Sequence, residues 1–296
     1  MSGVAAVGDN VADIYESLGL RFPGGNCLNV AVAARRGGVE AAYVGAIGTD
    51  EAGQAVLQAL EDEGVRTDRL RIIRGMNAYS VVELDRGDRH FVDFDLGVSR
   101  FILDEGDLEY LAQFDCIHSG SRSGTEAHLE DLRDVARLSF DFSDRPREYY
   151  EPILGKLWMA CFSGTHLDPV GVDDLTRRAL RAGPEIVLVT AGAQGASIST
   201  ATGETVRVGA SPGTPLDTLG AGDAVIGTVL AGLLRADDLE TVMSSAMSVA
   251  TKVCAQYGAF GHGRAVARLG ERRVRPGQEA RHVGPTGRRP DRRRHL

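Results

Sequence analysis

Long apolar runs are missing from this chain. No stretch of 18 or more apolar residues occurs in its 296 positions, so no segment reads as a bilayer-spanning helix. Cysteine is scarce. Cys27, Cys116, Cys161 and Cys254 lie far apart and form no C-x-x-C pair, which reads as four reduced, mostly buried thiols of a cytoplasmic protein. The amino-terminal segment "MSGVAAVGDNVADIY" lacks a basic n-region and meets an acidic residue early, against a secretory signal. Two glycine fingerprints are absent as well. There is no G-x-x-x-x-G-K-[ST], and "VGDNVAD" stands after the first apolar run where a dinucleotide-binding chain carries G-x-G-x-x-G. A P-loop NTPase and a dinucleotide dehydrogenase thereby lose most of their support.

What remains is an ordinary globular composition, 43% hydrophobic and 25% charged, with charge spread unevenly. Residues 264–296 hold 11 Arg against 3 acidic residues, a formal +8, which leaves −16 on the preceding 263 residues. An acidic body argues against a nucleic-acid-binding fold and suits an enzyme acting on small molecules. The Arg-rich tail has no hydrophobic periodicity, is rich in Gly and Pro, and reads as a disordered extension to which no function is assigned.

Along the chain, short apolar runs alternate with amphipathic segments. Strands are expected at 4–8, 41–48, 115–120, 138–144, 156–164 and 185–192. Helices are expected at 26–38, at 50–64 with Asp50 as N-cap and Gly64 at its end, and near 104–113, 124–136 and 168–182. That alternation implies βαβ units and a mainly parallel sheet covered on both faces, with ligands bound beyond the carboxyl ends of the strands. Segments 11–22 and 78–94 break the rhythm and read as extended strands, the second a hairpin around "DRGDR". They suggest a small accessory sheet, as a lid over the ligand site or as an edge extension of the main sheet.

One stretch carries chemistry. "DTLGAGDAVIGTVLAGLL" (217–234) begins as a glycine-rich turn and continues as a helix. Gly220, Ala221 and Gly222 would expose backbone N–H groups at a helix start, where the dipole favours an anion. Asp223 would lie beside that anion. Spacing alone leaves two readings open: a helix start with a dipole-complementing carboxylate, or a phosphoryl site with a base for an attacking hydroxyl.

"DTLGAGD" (217–223), "PGGNCLNVAVAARRGG" (23–38) and "VGAIGTDEAGQAVLQALEDEGV" (44–65) together resemble the signatures of the ribokinase-like carbohydrate kinases, the PfkB family. The resemblance covers residues 4 to about 263, and "GDNVADIY", "VVELDRGDRHF", "FDFSD" and "YGAFGHG" resemble the branch that acts on fructoselysine. It implies a ribokinase-like α/β fold, a three-layer sandwich with a small β-sheet lid, for residues 1–263. It also implies ATP-dependent phosphorylation of a sugar hydroxyl, with fructoselysine leading and fructose or 2-keto-3-deoxygluconate as alternatives. A non-catalytic sugar-binding relative is the rival from another class.

By the same resemblance Asp223 is the catalytic base, and Gly220, Ala221 and Gly222 are the anion hole. Asp13, Gly24, Gly25, Asn26 and Asn29 are substrate-binding, and Thr190, Gly192 and Gly195 in "TAGAQGA" lie under the nucleotide. Asn26 and Asn29 fall one helical turn apart and are expected to grip adjacent sugar hydroxyls. Asp9 is either a further sugar contact or a partner of loop amides. The family's N-x-x-E motif for the Mg²⁺ water shell is altered here to "FSGTHLDP" (162–169). That leaves Ser163, His166 and Asp168 as imperfect substitutes, and no metal-ligating residue is assigned. His90, His118 and His262 form no ligand cluster; His90 or His262 could line the sugar site, with exposed or core roles as the favoured reading. The resemblance further allows a monovalent cation and a homodimer paired through the lid, with no membrane or nucleic-acid partner.

Overall fold

β1 (Gly3–Val7) is buried at every position, as a strand covered on both faces must be. A hairpin of β2 (Val11–Tyr15) and β3 (Leu20–Gly24) follows, then α1 (Asn26–Arg36), β4 (Glu40–Val44) and the short β5 (Ala46–Gly48). Next come α2 (Glu51–Asp62), β6 (Arg71–Ile73), β7 (Tyr79–Asp85) and β8 (Asp88–Asp95). The chain then alternates regularly through α3 (Glu105–Leu111), β9 (Cys116–Gly120), α4 (Leu129–Val135) and β10 (Arg137–Asp141). It continues with α5 (Arg147–Leu154), β11 (Met159–Ser163), α6 (Pro169–Arg181) and β12 (Ile186–Thr190). β13 (Ala196–Thr200), β14 (Thr205–Val208), the helices α7 (Ala221–Leu234) and α8 (Leu239–Val253), and β15 (Arg264–Ala265) complete it. This computed structural model describes residues 3–85 and 88–266; the tail from residue 267 on, and the tip of the "DRGDR" hairpin, lie outside the described residues.

The central sheet runs β14-β13-β12-β11-β10-β9-β1-β4 and is parallel from β4 to β12, with β13 and β14 added antiparallel. Side chains alternate between two cores. Val4 and Ala6 join Leu28 of α1, Val229 of α7 and Met243 of α8 on one face. Ala5 and Val7 join Leu111, Leu132, Leu154 and Leu175 of α3 to α6 on the other. The expected three-layer α/β sandwich is therefore the observed one.

The lid is a separate sheet, β15-β3-β2-β7-β8, with a bulge between Val81 and Val82. Tyr15, Phe22 and Val82 pack with Leu219, so the lid rests on the loop that leads into α7. Asp50 caps α2 by accepting from the Gly53 amide at 3.1 Å, as expected.

The run 41–48 is not one strand. It breaks at Gly45, where a Cβ would stand 2.2 Å from the Tyr43 hydroxyl, and its second half pairs with β6 instead of the central sheet. The helix expected at 124–136 begins as a 3-10 turn, Glu126–His128, before α4. Helices α5 and α8 and the antiparallel strands β13 and β14 were not anticipated.

Candidate active site

The start of α7 is shaped by a residue that only glycine can supply. Gly220 has φ +74°, and a Cβ there would lie 2.2 Å from the Ala259 Cβ and 2.8 Å from its Cα. The first intrahelical bond runs from the Ala224 amide to the Gly220 carbonyl at 2.9 Å, so the amides before it lie at the open, positive end of the helix. Among the three expected anion-hole amides, that of Ala221 is drawn back to the Thr218 carbonyl at 3.3 Å. Behind the loop sits Asp217, fully buried, which accepts from the Leu219 amide (2.9 Å), the Gly258 amide (3.0 Å) and the Tyr15 hydroxyl (2.5 Å). A lid side chain is thus bonded to the loop that presents the amides.

Asp223 occupies the first turn of α7 and is held by both asparagines of α1. Asn26 Nδ2 donates to its Oδ1 at 2.8 Å, and Asn29 Nδ2 donates to its Oδ2 at 2.7 Å. The second Asn26 Nδ2 hydrogen goes to Asp141 Oδ2, at 3.0 Å, at the carboxyl end of β10. Asn29 Oδ1 is buried and has no hydrogen-bond partner, an acceptor that a donor from a ligand would satisfy.

The α1 terminus is fixed by Asp9, which accepts from the amides of Asn26 (2.9 Å) and Cys27 (3.4 Å) and from the Ser123 hydroxyl (2.9 Å). Asp9 therefore serves loop and helix amides. Gly25 precedes the helix with φ +109° and packs on the Asn10 backbone, where a Cβ would be 2.7 Å from Cα. Gly24 lies against Asp13, whose Oδ2 stands 2.2 Å from the Cβ position, and Asp13 Oδ1 accepts from Ser80 Oγ at 2.5 Å.

Two groups at this site were given no part in it from sequence. Burial, and then the charge of Asp223, push the Asp141 carboxyl from 3.8 up to about 7. Burial holds the His118 imidazole down to about 3, so it is neutral. The signals were a carboxylate ending an apolar strand, "LSFD", and a histidine inside a fully buried one, "CIHSG".

A carboxyl whose proton is held more tightly in the folded state favours folding when protonated. That contribution is present below about pH 4 and is lost as pH rises through 7. Asp141→Asn should therefore gain on the wild type with rising pH, by about 1.4 kcal/mol per pH unit at most across that window. Thermal melts of the two proteins from pH 4 to 8 measure it, and a pH-independent difference would show that Asp141 ionises freely.

Thr190, expected under the nucleotide, ends β12. The nearest heavy atom to a Cβ on Gly222 is Thr190 Oγ1, at 3.9 Å, so the end of β12 adjoins the start of α7. Gly192 (φ +54°) and Gly195 (φ +95°) form the following turn, with Gly195 pressed on the Val208 carbonyl.

Ser163 and Thr165 share a 3.4 Å hydroxyl contact, and His166 is exposed. Asp168 is the N-cap of α6, accepting from the Gly171 amide at 2.7 Å, so its carboxylate is engaged as a helix cap. Among the described residues no group of three or more His, Cys, Asp or Glu is arranged to hold a metal ion. His90 is exposed on β8, and His262 pairs with Glu63 at 2.7 Å.

Residues 16–261 match the pfkB family carbohydrate kinases. The fructosamine kinase FrlD of Bacillus subtilis (strain 168) is 37% identical over 267 residues, covering 87% of this chain and 93% of that protein. The fructoselysine 6-kinase of Escherichia coli (strain K12) is 32% identical, covering 88% of this chain and 100% of the relative. Among solved structures, Arabidopsis thaliana ribokinase complexed with ribose and ATP superposes with a TM-score of 0.76 at 18% identity, over 88% of this chain and 95% of that one. No helix among the described residues is long and apolar enough to cross a membrane.

Proposed function

The chain belongs to the pfkB family of carbohydrate kinases, and from that premise we propose that it transfers the γ-phosphoryl group of ATP to the 6-hydroxyl of a fructosamine, fructoselysine in the first place. The observation that carries the reading is Asp223, held by two amide donors beside the open amides of α7. It accepts the proton of the attacking hydroxyl as the bond to phosphorus forms. The amides at 220–222 face the charge on the moving phosphoryl group, with Ala221 contributing least because Thr218 competes for its hydrogen. Asn29 Oδ1 takes a sugar hydroxyl, and Asp13 and Gly24 of the lid strands, with Gly25 after them, line the same side. Thr190, Gly192 and Gly195 support the nucleotide. Mg²⁺ would be carried by the ATP phosphates, a mode that asks little of the altered 162–169 segment. There it would neutralise the phosphate charge.

The identity to a fructosamine kinase and a fructoselysine 6-kinase supports the substrate class. Purified protein with Mg-ATP, tested against fructoselysine, other fructosamines, fructose and 2-keto-3-deoxygluconate, should release ADP with fructoselysine at a kcat/KM about tenfold or more above fructose. A higher value for fructose or the keto-acid would replace the substrate assignment. A sugar that raises the melting temperature while none stimulates ADP release would make the chain a binding protein.

A further inference from the structure

His118 sits mid-strand in β9 and is fully buried. Both ring nitrogens are engaged. Nδ1 is 3.1 Å from Ser139 Oγ, and Nε2 is 3.2 Å from Asn26 Oδ1. An amide oxygen only accepts, so Nε2 carries the hydrogen and Nδ1 accepts from the Ser139 hydroxyl. One neutral tautomer satisfies both contacts. With its oxygen bound to His118, Asn26 must turn its NH₂ group to the carboxylates, and that one nitrogen holds both Asp223 and Asp141.

We propose that His118 is a positioning residue for phosphoryl transfer: by fixing the Asn26 amide it keeps an N–H on Asp223 and so holds the base ionised. The inference rests on Asp223 being the base. Asp223 and, more weakly, Asp9 in the loop after β1 both act on the Asp141 carboxyl at the end of β10, so the three carboxyls form one acidic cluster. Asn26 and Asn29 of α1 face Asp223 as neutral amides, and His118 of β9, also neutral, reaches it through Asn26. Without the His118 donor, the Asn26 amide is steadied on its oxygen side only by a 3.9 Å contact with the Cys27 thiol, and it holds Asp223 less firmly. With a weaker donor, Asp223 would keep its proton to higher pH.

The test is kcat against pH, from 5.5 to 9, for wild type, His118→Leu, His118→Gln and Ser139→Ala. His118→Leu should move the acid limb up by about one pH unit, which is about a tenfold loss of kcat on that limb, with recovery near pH 9. His118→Gln, which carries an NH₂ near the place of Nε2, should restore the limb. Ser139→Ala frees Nδ1 to take the hydrogen and should shift the limb in the same direction by less.

A loss equal at every pH, or an unshifted limb in His118→Leu, would overturn the proposal. If that variant does not fold, an unshifted limb in Ser139→Ala does so. Asp223→Asn separates the two claims. If it retains turnover the base assignment fails; if it is inactive while the His118 variants keep the wild-type limb, only the role of His118 fails.

Discussion

Asp223→Asn should lower kcat by about 10²–10⁴-fold, the range that a positioned general base contributes, with a much smaller change in sugar affinity. The side chain keeps its size and its place in the first turn of α7 but loses the ability to accept a proton. The variant also disturbs the clamp in a definite way. Asn26 and Asn29 each donate to a different oxygen of Asp223, and an asparagine offers only one oxygen. One donor is then left facing an NH₂ group, a cost of about 1–3 kcal/mol. Removing the charge opposite Asp141 offsets part of that, since Asp223 is one of the two main causes holding the Asp141 proton. The expected protein is folded, binds sugar in a calorimeter and releases ADP at a small fraction of the wild-type rate. Turnover within about tenfold of wild type would remove Asp223 from the chemistry, because a missing base cannot cost so little.

The parts of this site that were legible in the sequence are those where the backbone itself is constrained. A glycine-rich turn opening a helix stands out against the cost of glycine in helices, so "LGAGD" was visible as an unusual helix start, while its role and that of "PGGN" came from the family resemblance. The sandwich was legible for a similar reason. Strands buried on both faces read as continuous apolar runs, and β1, β9 and β12 were found within a residue or two.

What could not be read is which side chains meet across the fold. Asn26 and Asn29 do lie on one face of α1, but that face meets α7, so both Nδ2 groups bind Asp223. The expectation that they grip two adjacent hydroxyls narrows to a single free acceptor, Asn29 Oδ1. Asp141 and His118 entered the site because β9 and β10 are neighbours in register, with Ser139 opposite His118. The tie between Tyr15 and Asp217 spans 202 positions. α5 escaped notice because it is short and carries Pro152 inside it, which a sequence pattern reads as a break.

Gly220→Ala should also cost about 10²–10³-fold in kcat, and comparison with Gly222→Ala separates the two uses of glycine in this loop. At position 220 an alanine must adopt a left-handed conformation, at about 1–2 kcal/mol, and its Cβ would drive into the Ala259 backbone. Backbone cannot rotate aside, so either the 258–260 segment or the first turn of α7 must shift. The amides leave their places, and with them about 2.7–4 kcal/mol of transition-state stabilisation. The melting temperature should fall as well, by about 5–10 °C.

At position 222 the backbone is not left-handed, and the nearest atom to the new methyl, Thr190 Oγ1, is 3.9 Å away, an ordinary contact. Alanine there improves helix propensity by up to about 1 kcal/mol, so the melting temperature should hold or rise. The methyl would nevertheless stand between Thr190 and the Gly222 amide, in the space proposed for the nucleotide phosphates, and KM for ATP should rise about tenfold, equivalent to about 1.4 kcal/mol. Thermal melts with steady-state kinetics on both variants decide the matter. A Gly222→Ala enzyme with wild-type ATP kinetics would show that this amide does not face the phosphates. A more stable protein with weakened ATP use would show that Gly222 is kept small for the ligand, at the expense of the helix.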